Sequence, residues 1–199
     1  MKRWDIINKF IEKNGYKTYL EVGLQSGMCR DYVNIPNENK TTIDPDTRSN
    51  NPTHLMTSDE FFNQNDKTFD IIFIDGLHHG EQVLVDIENS LDVLNDGGVI
   101  FCHDMLPNNE DVQKVPRVQD IWTGDCWKAW FKLRGIRKDL EMFIVESDWG
   151  VGVIKKGFQD IVEELDMPLE KMTWELFTKH NALNNNNKLA VDLFQKQMA

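Results

Sequence analysis

The sequence is poor in basic residues and in long apolar runs, and each shortage excludes a class of protein. Its 199 residues contain 22 Lys and Arg against 33 Asp and Glu, a formal net charge of −11 at pH 7. Because an acidic chain repels the phosphate backbone, we expect no nucleic-acid partner. No apolar run approaches the roughly 20 residues that cross a bilayer, and no segment resembles a signal peptide, so we expect no membrane partner.

Cysteine is also scarce. The three cysteines, Cys29, Cys102 and Cys126, cannot all pair and show no C-x-x-C spacing. This argues against a disulfide framework and against a thiolate zinc site. We therefore expect a protein of the reducing cytoplasm.

Short apolar segments alternate with segments of helical periodicity along most of the chain. Strands are predicted at 18–22, 40–44, 69–74 and 99–102, and helices follow at about 27–33 and 81–94. This alternation is typical of a parallel sheet with right-handed crossovers, in which ligands bind beyond the carboxyl ends of the strands. We predict a doubly wound, Rossmann-like α/β fold, with a mostly parallel sheet and helices on both faces.

The length suits one domain, 1–199, with a leading helix at 1–15, a core sheet at 16–155 and C-terminal helices at 156–199. Strands are predicted at 140–145 and 149–154, the last one antiparallel. We also expect a short strand at 54–57, a helix capped by Ser58, and a helix at 118–133. The polar segment 105–117 is long enough to be either a lid or a simple connection.

The first strand ends in a turn that contains Glu21, Gly23 and Gly27. Glycine has no Cβ, so it allows positive φ and the close approach of a ligand. A tight strand-to-helix connection explains the same glycines equally well. The second feature is Asp44, at the end of the next strand, where a carboxylate of a doubly wound fold can accept the ribose hydroxyls of an adenosine ligand.

With these residues the sequence resembles the class I S-adenosylmethionine-dependent methyltransferases, whose first motif is acidic-x-Gly-x-Gly-x-Gly. Glu21, Gly23, Gly27 and Asp44 match, whereas Gln25 stands at the usual middle glycine. The resemblance spans roughly 16–155 and implies S-adenosylmethionine as cofactor. It also places Asp59 where the family contacts adenine, although Asp59 fits an ordinary helix start. The dinucleotide pattern G-x-G-x-x-G is absent, which disfavours NAD.

Acidic and imidazole side chains follow two neighbouring predicted strands. Asp75 and His78 come after the strand 69–74, and His103 and Asp104 end the strand 99–102. Carboxylates suit Mg²⁺, for which Asp75 and Asp104 are the candidate ligands. An unperturbed histidine titrates near pH 6.5, so His78 can be the base that accepts a proton from an acceptor hydroxyl.

This edge resembles a bacterial methyltransferase group of glycan and antibiotic-sugar modification, whose pattern I-D-G-x-H-x-x-E-x-V matches Ile74 to Val83. The resemblance implies O-methylation of a sugar or other small-molecule hydroxyl, with Asp75 and His78 as metal ligand and base. Asp75 also counts among the cofactor contacts. Met105 replaces the Asn of catechol-type enzymes, so the third metal ligand stays open between His103, Glu81 and water.

Three alternatives remain from the sequence. The histidines could simply hydrogen-bond loop backbone, without any metal. A metal-dependent hydrolase could use Asp75, His78, His103 and Asp104, but the glycines and Asp44 would then have no ligand. A fold of this type could also bind cofactor or partner without turnover. The C-terminal segment 172–180 could cover the substrate cleft, form a homodimer contact, or pack on the surface.

Overall fold

The computed structural model describes residues 1–199, and the alternating apolar segments form one sheet covered by helices. The strands are β1 (Tyr19–Val22), β2 (Lys40–Ile43), β3 (Phe69–Ile74), β4 (Leu94–Cys102), β5 (Leu140–Val145), β6 (Val151–Lys156) and β7 (Lys188–Leu189). The helices are α1 (Arg3–Asn14), α2 (Met28–Tyr32), α3 (Ser58–Gln64), α4 (Gly80–Asp92), α5 (Trp127–Ile136), α6 (Trp174–Ala182) and α7 (Val191–Met198). No helix is both long and apolar enough to cross a bilayer.

The seven strands lie in the order β2-β1-β3-β4-β6-β5-β7. The pairs from β2 to β4 are all parallel, and β7 is parallel to β5. Only β6 runs antiparallel, between β4 and β5. The predicted mostly parallel sheet with an antiparallel strand at 149–154 is therefore confirmed.

Two buried clusters cover the two faces of the sheet because successive strand side chains point to opposite sides. In β3, Ile72 and Ile74 join one cluster, while Ile71 and Phe73 join the other. The first cluster includes residues of α3, α4, α5 and α6, and the second includes residues of α1, α2 and α7. A strand buried on both faces needs apolar residues at nearly every position, as the sequence of β3 indicates.

The predicted strand at 54–57 is reduced to one bridge, between Ile43 and His54. The following helix α3 is capped by Thr57 and not by Ser58, which is its first residue. The Thr57 hydroxyl accepts from the backbone N–H of Glu60, and the Glu60 carboxylate accepts from that of Thr57. This reciprocal capping satisfies two donors at once, which explains the shift by one residue.

The predicted helix at 118–133 begins only at Trp127. Gly124 has a φ of +60°, outside the helical range, and a Cβ there would lie 1.8 Å from the carbonyl oxygen of His78. Residues 103–126 thus form an extended loop without helix or strand. Trp127 and Trp130 of α5 are fully buried in the core, where neither can stack on a ligand.

The C-terminal segment packs against α5. Phe177 of α6 stacks on Phe131, with ring centroids 5.8 Å apart, and contacts Trp127. None of residues 156–199 lines the main cleft, so α6 is a packing helix and does not cover the cleft. After the asparagine-rich stretch, β7 adds a short strand that the periodicity did not predict.

Candidate active site

The carboxyl ends of β1, β2, β3 and β4 surround a cleft of about 820 Å³. Every predicted site residue lines it except Gly27 and Glu81, the latter one of the alternatives for the third metal ligand. Gly27 instead precedes α2 with a φ of +76°, and a Cβ there would meet the guanidinium of Arg30 at 2.5 Å. Of the predicted lid 105–117 only Arg117 reaches the cleft, and the adjoining residues 120–123 form the wall.

We call residues 21–27 the glycine turn. Gly23 has a φ of +86°, and a Cβ there would lie 2.3 Å from the carbonyl oxygen of Asp75. Its conformation and the close approach of β3 both require glycine. Gln25, at the family's middle glycine, also has positive φ, at 45°.

Asp44 organises the glycine turn. Its Oδ2 accepts from the backbone N–H groups of Leu24 and Gln25 at 3.0 and 2.9 Å, and its Oδ1 accepts from that of Asp46 at 2.8 Å. Burial alone would raise the pKa of Asp44, but these hydrogen bonds and one from Ser49 hold it below its usual value. An ionised carboxylate therefore faces the cleft at the end of β2.

Glu21 is the most deeply buried acid of the cleft, at 1% exposure. Tyr19 donates a hydrogen bond from its hydroxyl to Glu21 Oε2 at 2.6 Å. Burial raises the pKa of Glu21 to about 8, although the Tyr19 hydrogen bond acts in the opposite direction. Glu21 is thus largely protonated near neutral pH.

Asp75, His78, His103 and Asp104 meet at the ends of β3 and β4, and we call them the Asp/His cluster. His78 lies between the two carboxylates, with Nε2 at 3.3 Å from Asp75 Oδ1 and Nδ1 at 3.2 Å from Asp104 Oδ2. The Nδ1 atom is buried, and despite this proximity it makes no hydrogen bond. Trp122 stacks on the other side of the ring, with centroids 5.3 Å apart.

His103 is the inner histidine of the cluster. Its Nδ1 lies 3.3 Å from Asp75 Oδ1 and 3.1 Å from Asp104 Oδ1. Burial alone would raise the pKa of Asp75, but His103 and His78 hold it well below its usual range. By contrast, burial raises the pKa of Asp104 despite the same neighbours.

The cluster contains donors suited to a divalent cation. One ligand atom each from Asp75, His78 and Asp104 lies within 4.8 Å of the other two. Carboxylate oxygens with imidazole form a plausible donor set for Mg²⁺ or a first-row metal. His103, predicted as a possible ligand, contacts both aspartates but is not part of this group of three.

Asp59 lies at the far side of the cleft, at the start of α3. Its side chain is exposed, and Oδ1 accepts from Gln82 Nε2 at 3.0 Å. Thr57 and Ser58 line the same wall. The wall is thus within the cleft but separate from the Asp/His cluster.

Two cleft residues, Arg3 and Asp148, escaped sequence reasoning altogether. Asp148 Oδ2 accepts from the backbone N–H and the Nη1 of Arg3, both at 3.0 Å, and its Oδ1 accepts from Lys2 Nζ at 2.9 Å. Arg3 Nη1 also lies 3.3 Å from His103 Nε2. No local pattern could reveal this contact, because Arg3 and Asp148 are 145 residues apart.

Known proteins share part of this sequence and most of this fold. Residues 11–105 match the sequence model of a family described as a methyltransferase domain. No curated protein matches the chain.

Solved structures share the fold at low sequence identity. The O-methyltransferase TomG from Streptomyces achromogenes, in complex with S-adenosylmethionine, is 12% identical with a TM-score of 0.60, over 77% of this chain and 79% of that one. A Podospora anserina methyltransferase bound to S-adenosylhomocysteine is 16% identical with a TM-score of 0.58, over 78% of each chain. A Bacillus cereus O-methyltransferase, also in complex with S-adenosylhomocysteine, is 15% identical with a TM-score of 0.52, over 76% and 78%.

Proposed function

We propose, from the methyltransferase-domain match at 11–105 and the shared methyltransferase fold, that this protein is an S-adenosylmethionine-dependent O-methyltransferase. One observation carries the proposal beyond the fold. The glycine turn with Asp44 and the Asp/His cluster open into the same cleft, so a cofactor site and a proton-accepting site adjoin.

The cleft suits the cofactor in size and in chemistry. Ligand pockets usually measure about 300–1,000 Å³, and this one measures about 820 Å³. A carboxylate has about four acceptor positions. Backbone N–H groups fill three of those of Asp44, so the fourth can accept a ribose hydroxyl in place of the Ser49 hydroxyl. The exposed Asp59 would then contact adenine, and Glu21 and Gly23 would lie beside the methionine part.

Methyl transfer to oxygen needs a hydroxyl that loses its proton during attack. S-adenosylmethionine supplies an electrophilic methyl group on a sulfonium. His78 accepts the hydroxyl proton in this proposal, and Asp75 and Asp104 lie beside its two ring nitrogens. The oxygen would take the methyl group as the sulfur leaves, which would give the methyl ether, S-adenosylhomocysteine and protonated His78.

The same cluster also fits a divalent ion. Asp75 and Asp104 would hold Mg²⁺ by their oxygens, with His78 beside them. A bound cation orients the acceptor and lowers the pKa of its hydroxyl. Activity measurements with and without Mg²⁺ separate the contribution of the metal from that of His78.

The acceptor we propose is a saccharide or another small molecule with a free hydroxyl. Trp122 lines the cleft and stacks on His78, so an aromatic side chain lies next to the proton acceptor. Flat apolar ring surfaces pack well against an aromatic side chain, while the hydroxyls reach polar partners.

A thermal-shift comparison tests the cofactor assignment. The protein is heated alone and with S-adenosylmethionine, S-adenosylhomocysteine or NAD, each with and without Mg²⁺. Ligand at 100 times its Kd adds about 2.7 kcal/mol to the free energy of unfolding, which is a readily measured shift. Stabilisation by both adenosyl ligands supports the proposal, whereas stabilisation by NAD alone contradicts it.

A further inference from the structure

The cleft has few cationic side chains. Nine Asp and Glu side chains line it, against Lys2, Arg3 and Arg117 as the only Lys and Arg. Such an acidic cleft attracts the sulfonium and ammonium groups of S-adenosylmethionine but repels the α-carboxylate. If the proposed function holds, a cation beside the glycine turn would offset that repulsion.

Arg3 is the cation placed beside the glycine turn. Its Nε lies 3.7 Å from Asp75 Oδ2, and Asp75 in turn abuts Gly23. The charge of Arg3 also reaches Glu21. Arg117, by contrast, donates to the backbone carbonyls of Gln119 and Asp120 within its own loop.

Hydrogen bonds hold one edge of the Arg3 guanidinium, and the other edge makes none, although its Nε lies 3.7 Å from Asp75 Oδ2. Nη1 is held by Asp148 and lies next to His103. Nε is buried without a hydrogen-bond partner, and Nη2 makes no hydrogen bond. Nε–H and the adjacent Nη2–H form the fork that matches the two oxygens of a carboxylate.

We propose that Arg3 binds the α-carboxylate of S-adenosylmethionine through its Nε–Nη2 edge. The start of α1 is fixed for this role, because Asp148 accepts from both the backbone and the side chain of Arg3. The Ser147 hydroxyl also donates to the carbonyl of Met1. These contacts hold Arg3 in place beside the glycine turn.

Calorimetric titration with two ligands tests this assignment. S-adenosylmethionine and its decarboxylated form, S-adenosylmethioninamine, differ in the carboxylate alone. Hydrogen bonds to a charged group contribute about 1.5–3 kcal/mol, so Arg3→Ala should weaken S-adenosylmethionine binding about 10- to 100-fold. The affinity for the decarboxylated form should change less than about twofold, because that ligand has no carboxylate for Arg3 to bind. A purely structural defect would instead weaken the binding of both ligands.

Two further variants sharpen the result. Arg3→Lys keeps the charge but loses the fork, and we expect an intermediate loss for the carboxylate ligand alone. Arg137→Ala is the matched control, because Arg137 pairs with Glu88 and Asp139 outside the cleft and its loss should leave the ratio of the two affinities unchanged. Equal weakening of both ligands by Arg3→Ala would overturn the role of Arg3 and leave the proposed function intact. Failure of the unaltered protein to bind either ligand would overturn both.

Discussion

The glycine turn and the Asp/His cluster occupy the same cleft but are built differently. Asp44 holds the turn through backbone N–H groups that lie within 20 residues of it. In the cluster, side chains hold side chains, and the contacts extend to Arg3 at the start of α1 and to Asp148 between β5 and β6. The glycine turn is therefore sensitive to changes in backbone conformation, whereas the Asp/His cluster is sensitive to changes in side-chain charge.

The largest expected effect concerns Gly23, where the glycine turn touches the backbone of Asp75 in the Asp/His cluster. Gly23→Ala places a Cβ 2.3 Å from the Asp75 backbone at a φ of +86°. Strain and overpacking together should lower the free energy of unfolding by about 3–5 kcal/mol, as measured by urea denaturation.

Gly15→Ala is the matched control for that substitution. Gly15 also has positive φ, at +70°, but no atom lies within 4 Å of a Cβ there. Its cost should be only about 1 kcal/mol, from the backbone conformation alone. Equal losses of unfolding free energy in Gly23→Ala and Gly15→Ala would show that the Asp75 backbone does not limit the space at Gly23.

Asp44→Ala removes the ionised carboxylate from the turn. We expect binding of S-adenosylhomocysteine to weaken about 10- to 100-fold by calorimetry, because the hydrogen bond from a ribose hydroxyl and the support of Gln25 are both lost. Asp92→Ala, on the exposed end of α4, serves as the control and should bind normally. Unchanged affinity in Asp44→Ala would remove Asp44 from the cofactor site.

Asp104→Asn tests the cluster as a cation site. The change keeps the shape and removes one negative charge from the group formed with Asp75 and His78. Binding of Mn²⁺, followed by calorimetry, should weaken roughly tenfold or more, since a ligand contributes at least as much as an outer-shell partner. Mn²⁺ binding of equal strength in the variant would place the cation elsewhere.

Glu21 links the stability of the protein to pH. Its pKa of about 8 in the folded protein exceeds the ordinary value of 4.5, so the folded state holds its proton more tightly than the unfolded chain. Stability from this group is present below about pH 4.5 and is lost as the pH rises towards 8, by up to roughly 1.4 kcal/mol per pH unit. Glu21→Gln should flatten this slope in denaturation curves recorded from pH 5 to pH 8. An unchanged slope would mean that Glu21 is ionised in the folded state.

Much of the fold was predictable because local patterns carry it. The apolar run of β3 and the periodicity of α4 identify a covered parallel strand and its crossover helix. Helix boundaries were predicted less well, since Thr57 with Glu60, and Gly124 against His78, decide them through particular contacts. The short β7 forms only by pairing with β5, and a two-residue strand has no pattern of its own.

The sequence by itself determined that the glycine turn, Asp44 and the Asp/His cluster would share one edge, because the carboxyl ends of neighbouring parallel strands meet there. Only the tertiary structure decided what surrounds them. It placed Arg3 and Asp148 against His103, and Trp122 against His78, over separations that leave no periodic signal. Periodicity reports how a segment faces the core, whereas contacts between distant side chains arise only when the whole chain has packed.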